Sequence, residues 1–185
     1  MYKPGYTGDE IFIVNRQAIS YDIPPLPKIA NYLGKYKRFM PIAQAYAALS
    51  KYPGTKVGCV IVNTGSLEVR ASGWNGAPRG CKADEDGRLS DRASRLKWAV
   101  HAEANAIANA SRTGTPLLAS TAIVTHIPCM DCAKLMIQAG ISGVVCNKPN
   151  PEFDAKWGSE FTLTRSLFKE CGVSLLELED DDDSK

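Results

Sequence analysis

Residues 121–140 read TAIVTHIPCMDCAKLMIQAG, and they place a strand, a proline and a helix in immediate succession. The segment 121–127 is rich in apolar and β-branched residues, which predicts a strand. Pro128 suits the start of a helix, and the helix predicted over 129–140 ends at Gly140, a common helix stop. A strand that leads directly into a helix is typical of layered α/β folds.

The segments on either side continue this alternation. VGCVIV, residues 57–62, is a short, continuous apolar run that predicts a central strand buried on both faces. Residues 67–74 are predicted to pair with it after a turn. A helix is predicted from Pro41, and helical spacing gives it one apolar face made of Ile42, Ala45, Tyr46 and Leu49. The other predicted elements are a polar loop over 76–97, helices over 101–113 and 161–172, and strands over 142–146 and 173–179.

Composition excludes several classes of protein. The chain has 185 residues, 44% of them hydrophobic, which suits one compact domain with a real core. A net charge of +2 does not resemble a strongly basic nucleic-acid-binding domain. No apolar run approaches the ~20 residues of a membrane span, and the first residues lack the pattern of a signal peptide. We therefore expect a cytoplasmic protein, in which six cysteines serve as thiols or metal ligands.

The ends of the chain differ from its centre. Residues 1–35 are irregular and contain prolines, so we expect an N-terminal arm that lies on the domain or on a neighbouring subunit. A floppy terminus is the alternative for the first dozen residues. Residues 36–178 form the predicted folded domain, and the acidic run over 179–185 predicts a disordered tail.

Two cysteines stand at the head of the helix predicted over 129–140. Cys129 and Cys132 are three residues apart, so their sulfurs lie on one side of a first helical turn. The positive end of the helix favours the thiolate, which is the form that binds metal. A catalytic zinc site needs a third protein ligand and leaves its fourth position for water.

His101 and Glu103 stand at the head of another predicted helix, in HAEANAIANA, residues 101–110. Their side chains can converge on one pocket if the helix points its end at that pocket. His101 then supplies the third zinc ligand. Two thiolates offset the charge of zinc, so its water is less acidic than the pKa of ~7 reached with three neutral histidines. Glu103 is therefore predicted to accept the proton of that water.

Other interpretations of these four residues remain open at this point. Cys129 and Cys132 could form a redox dithiol. They could also belong to a closed structural zinc site, which would need His126 or another cysteine as its fourth ligand and would leave Glu103 without a role.

The pairing of His-x-Glu with a later Pro-Cys-x-x-Cys resembles the pattern of the zinc deaminases. KYPGTKVGCVIV, GWNGAPRGC, HAEANAI and PCMDCAKLMIQAGI are together similar to the deoxycytidylate deaminase family, over roughly residues 36–146. This resemblance implies a three-layer α/β/α fold of the cytidine deaminase type, with a five-stranded mixed sheet between helices on both faces. It makes residues 36–178 a zinc deaminase domain and implies hydrolytic deamination of dCMP to dUMP and ammonia.

The resemblance also implies roles for individual residues. His101, Cys129 and Cys132 would hold zinc, Glu103 would shuttle protons, and Asn75 would hydrogen-bond the sugar. The wider set of expected substrate contacts is Thr55, Asn75, Arg79, Ala102, His126 and Trp157. Family members are homo-oligomers, often hexamers, and many respond to dCTP and dTTP as effectors. The alternatives are a deaminase of 5-substituted dCMP, a cytidine nucleoside or tRNA adenosine, and a nucleotide-binding regulatory protein without activity.

The sequence departs from the family at two places. The family often carries a Tyr-His pair after the strand that matches residues 142–146, and Phe153 or Trp157 would have to replace it here. Some relatives hold a second zinc in the loop before HAE, but this loop has only Cys81 and no histidine. We therefore expect one zinc per chain.

A phosphate on the substrate requires cations or converging backbone N–H groups. The loop between Gly76 and Trp98 contains six lysine and arginine side chains. Arg79 is the first choice among them, because the NGAPRG segment holds it near Asn75. Lys51 and Lys56, beside the first predicted strand, are further candidates.

Overall fold

The computed structural model describes residues 33–83 and 85–179. The arm expected up to residue 32 and the acidic tail from residue 180 lie outside the described residues. Residues 33–35, expected at the end of the arm, belong to a first helix instead. The described helices are α1 Leu33–Lys37, α2 Met40–Ala48, α3 Arg92–Trp98, α4 Ala102–Thr113, α5 Met130–Gln138 and α6 Pro151–Glu170, and the strands are β1 Gly58–Asn63, β2 Val69–Trp74, β3 Ser120–Val124, β4 Ile141–Asn147 and β5 Ser174–Leu178.

The five strands form one mixed sheet in the order β2-β1-β3-β4-β5. β1 pairs antiparallel with β2 and with β3, whereas the pairs β3–β4 and β4–β5 are parallel. All five residues of β3 are buried, as expected of a central strand covered on both faces. The prediction of a five-stranded mixed sheet is confirmed.

Two apolar layers cover the sheet, one on each face. Side chains of α4, α5 and α6 pack against Cys59, Ile61 and Val124 of the sheet. On the opposite face, Tyr36 and the first half of α2 pack against residues such as Val60 and Val62. The three-layer α/β/α arrangement expected from the sequence is therefore confirmed.

The apolar face predicted for α2 is wrong. Ile42 and Leu49 are 39% and 56% exposed, while the buried residues of the helix are Met40, Ala43 and Ala47. The reason is the close approach of α2 to β1: a Cβ at Gly58 would meet the backbone at Ala43 and, at 2.6 Å, the nitrogen of Ala47. Only small residues fit at this contact, so the helix turns its alanines inward.

Two helices differ from the prediction: α3 was not predicted, and α6 is longer than predicted. Residues 76–97 were expected to be a loop, but α3 begins after Asp91, whose carboxylate accepts a hydrogen bond from the backbone of Ser94 at 2.8 Å. The helix expected over 161–172 begins ten residues earlier at Pro151, after Asn150 as its N-cap. Gly158 lies in its middle and weakens the helical pattern in the sequence.

Within the part of the chain that the structure describes, no helix has the combination of length and apolarity that crossing a bilayer requires.

Candidate metal centre

The zinc donors expected from the sequence stand at the first turns of two helices. His101 is the N-cap residue of α4, and Cys129 is the N-cap residue of α5. Neither side chain forms a hydrogen bond that caps its own helix. Both side chains are therefore available to point at a shared position.

Three donor atoms converge there. The Nδ1 atom of His101 lies 3.4 Å from the Sγ of Cys129 and 3.5 Å from the Sγ of Cys132. All three donor atoms lie within 4.8 Å of one another. With Zn–S distances of ~2.3 Å and Zn–N distances of ~2.0–2.1 Å, tetrahedral geometry separates a nitrogen and a sulfur donor by about 3.6 Å. The donor set therefore fits one zinc ion.

The pKa values of these three side chains also indicate that the cluster favours a bound cation. The thiol of Cys132 and the imidazolium of His101 hydrogen-bond to the Cys129 thiolate, which lowers the pKa of Cys129 to about 4. The same thiolate raises the pKa of His101 to about 9 and raises that of Cys132. A dication can replace the two protons that the cluster holds against this thiolate.

A fourth ligand for a closed structural site is missing among the described residues. The cluster of possible ligands contains His101, Cys129 and Cys132 and does not include His126, whose ring stacks on Phe153 at 5.4 Å. Cys59 and Cys146 lie in the strands, where burial raises the pKa of each thiol. Three protein donors are the number typical of a catalytic zinc site.

Glu103 lies beside this cluster in the first turn of α4. Its side chain is only 4% exposed, and burial raises its pKa to about 7. A carboxyl group with a pKa near neutrality can both accept and return a proton at neutral pH.

Asn75 joins two neighbouring segments next to the metal centre. Its Oδ1 accepts a hydrogen bond from the backbone N–H of Val57 at 2.8 Å, and its Nδ2 donates to the carbonyl of Thr55 at 2.9 Å. The next residue, Gly76, pairs with Val100, which precedes His101. Asn75 and Thr55 are thus brought together on the side of the site formed by β1 and β2.

The remaining residues expected to contact the substrate lie in different parts of the fold. Ala102, the first residue of α4, is fully buried between His101 and Glu103. The ring of Trp157 lies 5.9 Å from the guanidinium carbon of Arg92. Arg79, in contrast, donates to the side chain of Asn109 at 2.7 Å, and Asn109 is eight residues along α4 from His101, about 12 Å of helix.

The sequence analysis missed one residue at this centre. Glu160 accepts a hydrogen bond from the backbone N–H of Met130 at 3.4 Å, directly after Cys129. No spacing in the sequence connects residue 160 to the start of α5, because the contact depends on how α6 packs on α5.

Comparisons with known proteins agree with this geometry. Residues 33–148 match the family described as the cytidine and deoxycytidylate deaminase zinc-binding region. An uncharacterised deaminase of Aliivibrio fischeri is 35% identical over 139 residues, which cover 75% of this chain and 90% of that protein. The deoxycytidylate deaminase of Mus musculus is 34% identical over 151 residues, which cover 78% of this chain and 79% of that protein.

A solved structure has the same fold. The dCMP deaminase of cyanophage S-TIM5, in complex with dCMP and dUMP, superposes with a TM-score of 0.61 at 23% identity, over 78% of this chain and 97% of that one. The match to the family covers more than half of the residues, and the metal donors expected of the family come together in space. The chain belongs to the cytidine and deoxycytidylate deaminase family.

Proposed function

We propose that this protein catalyses the hydrolytic deamination of dCMP to dUMP and ammonia. The observation that carries the proposal is the buried carboxyl group of Glu103 beside three zinc donors. Deoxycytidylate deaminases among the relatives, at 34% identity, support dCMP as the substrate.

Glu103 carries the proton transfers in this proposal. Zinc, when held by His101, Cys129 and Cys132, supplies the Lewis acidity that makes water a nucleophile near neutral pH. The Glu103 carboxylate accepts a proton from the attacking water and delivers it to ring nitrogen N3. It then transfers the second proton of the water to the amino group, which leaves as ammonia.

We also propose roles for the residues that are expected to contact the substrate. We assign the sugar to Asn75 with Thr55 beside it, and the ring to the backbone and methyl group of Ala102. His126 and the aromatic residues of α6 would cover the base: Phe153 stacks on His126, and Trp157 lies one turn further along the helix. Arg79, the first choice from the sequence for the phosphate, stays a prediction.

Three expectations about the wider context also stay predictions. These are regulation by dCTP and dTTP, assembly into a homo-oligomer of which the hexamer is favoured, and a cytoplasmic location. An inactive nucleotide-binding protein is the alternative to an enzyme, and it would have no need for a buried Glu103 beside the zinc donors.

The test is a deamination assay of the zinc-loaded full chain on dCMP, CMP, deoxycytidine and 5-methyl-dCMP. We expect the highest kcat/KM with dCMP. If another of these compounds is deaminated faster than dCMP, that compound is the substrate. If none of the four compounds is deaminated, the enzymatic function is contradicted.

A further inference from the structure

Strand β2 lies at an edge of the sheet, and two side chains of helix α4 bind its backbone. Every second residue of an edge strand directs its backbone N–H and C=O groups away from the sheet. The carboxamide of Asn105 donates to the carbonyl of Trp74, and that of Asn109 donates to the carbonyl of Ser72, each at 2.8 Å. Two carboxamides of the helix therefore bind two alternate carbonyls of the strand.

The spacing of these two bonds fixes the place of α4 along β2. Four residues of helix advance by about 6 Å and two residues of strand by about 6.8 Å, so both bonds form together in one register. Gly73 lies between the two carbonyls, where a Cβ would come within 2.5 Å of the carbonyl oxygen of Ala102. The glycine allows the close approach, and Asn105 and Asn109 determine which residues of the helix face which residues of the strand.

Asn105 connects the metal donors with the residue to which we assign the sugar. Its backbone N–H donates to the carbonyl of His101 at 2.9 Å, one helical turn earlier. Its side chain holds Trp74, which directly precedes Asn75. A single residue and two hydrogen bonds therefore join the backbone of His101 to the segment that carries Asn75. Glu103 lies in the same turn of α4.

The segment around Asn75 is also held by other parts of the fold. Its backbone carbonyl accepts a hydrogen bond at 2.6 Å from the hydroxyl of Ser50, two residues beyond the end of α2. Gly76 pairs with Val100, which is a second connection to the start of α4. Loss of the Asn105 side chain should consequently shift Asn75 relative to α4 without unfolding the protein.

We propose that Asn105 is a positioning residue that sets the distance between the carboxamide of Asn75 and the carboxyl group of Glu103. This inference rests on the proposed function. The sugar has to contact Asn75 while the ring lies at the zinc donors, so both ends of the substrate must fit at once. A misplacement of about 1 Å in such an arrangement can lower a rate by about 10²-fold. Because the pairing of Gly76 with Val100 remains, we expect part of this effect.

Asn105→Ala and Asn109→Ala test the proposal as a matched pair, because each removes one hydrogen bond from α4 to a carbonyl of β2. We expect both variants to lose similar thermal stability and to keep one zinc per chain. For Asn105→Ala, kcat/KM for dCMP should fall about tenfold, less than a full displacement would cause. Asn109→Ala should retain the wild-type value, since it binds Ser72, three residues away from Asn75.

Three results would overturn the proposal. Wild-type kinetics of Asn105→Ala on dCMP would show that Asn105 does not position the site. An equal fall of kcat/KM in Asn109→Ala would assign the effect to the general contact between α4 and β2. Loss of zinc from Asn105→Ala would assign it to the metal donors.

An Asn75→Ala background distinguishes positioning from a purely structural role. If Asn105 acts through Asn75, adding Asn105→Ala to Asn75→Ala should not lower kcat/KM for dCMP any further. Two losses that multiply would show that the two residues act independently, which would contradict the proposal.

Calorimetric binding of dUMP separates this inference from the proposed function, and it does not require Asn75→Ala to fold. Weaker binding of dUMP to Asn105→Ala than to Asn109→Ala would support the positioning role even if wild type deaminated none of the four compounds, a result that would contradict the proposed function alone. Equal affinity of dUMP for wild type and Asn105→Ala would overturn the positioning role.

Discussion

Glu103 is an acidic residue in a place where acidic residues are rarely found. Side chains of glutamate are almost never fully buried without a partner, yet this one is 4% exposed in the first turn of α4. Burial destabilises its charged form and raises its pKa to about 7. The protein bears this unfavourable burial in the first turn of the helix whose N-cap residue, His101, is one of the zinc donors.

Glu103→Gln should retain the fold and one zinc per chain, because glutamine has nearly the same shape and the residue is not a zinc donor. Turnover of dCMP should fall by at least ~10²–10⁴, the range of general acid–base catalysis, because the amide cannot accept and return the protons. Steady-state kinetics and metal analysis of the same preparation check both parts. Cys132→Ser is the comparison, and it should lose zinc as well as activity. Turnover of Glu103→Gln close to that of wild type would contradict the mechanism.

The metal centre depends on helix α4 lying directly against strand β2. A Cβ at Gly73 would come within 2.5 Å of the carbonyl oxygen of Ala102 and of the nitrogen of Ala106. These are backbone atoms, so a larger residue would have to move the helix. His101 and Glu103 lie at the start of the same helix, and the missing side chain at residue 73 therefore sets their distance from the sheet.

Gly73→Ala should lower both stability and zinc affinity, since it displaces the helix that supplies His101. An overpacked contact of this kind typically destabilises a protein by about 1–3 kcal/mol. Thermal unfolding and competition with a zinc chelator measure the two effects. Gly65→Ala is the control, because a Cβ there meets only the side chain of Asn63 at 3.4 Å. Equal zinc affinity of Gly73→Ala and wild type would show that α4 is positioned in another way.

On the scale of the whole molecule, the sheet separates two apolar layers and one of its edges carries the chemistry. The outer face of α2 leaves Ile42 and Leu49 exposed, and Tyr46 stacks on the exposed ring of Trp74 at 6.1 Å. A contiguous apolar surface of this kind is typical of an interface. It agrees with the homo-oligomer that the family resemblance implies.

Sedimentation of the full chain should therefore give a mass several times 20.1 kDa, with a hexamer favoured. The double variant Ile42→Glu, Leu49→Glu should lower this mass, because it places charges on the apolar face of α2. Leu163→Glu is the matched control: Leu163 is 59% exposed on α6, and its substitution should leave the assembly unchanged. A monomeric wild type, or a double variant with the mass of wild type, would contradict this role of α2.

The alternation of strands and helices and the chemistry of the metal centre could both be predicted from the sequence. Local rules were sufficient there: a β-branched run predicts a buried strand, and Cys129, Cys132, His101 and Glu103 stand at helix starts that proline, glycine and alanine patterns mark. The same rules failed for α2, because apolar periodicity cannot show that a glycine on a neighbouring strand brings two backbones into contact. Three features depend on the folded chain: that backbone contact, the hydrogen bonds of Asn75 to Thr55 and Val57, and the contact of Arg79 with Asn109. Each of these joins residues far apart in the chain, and their separation depends on packing that no short stretch of sequence encodes.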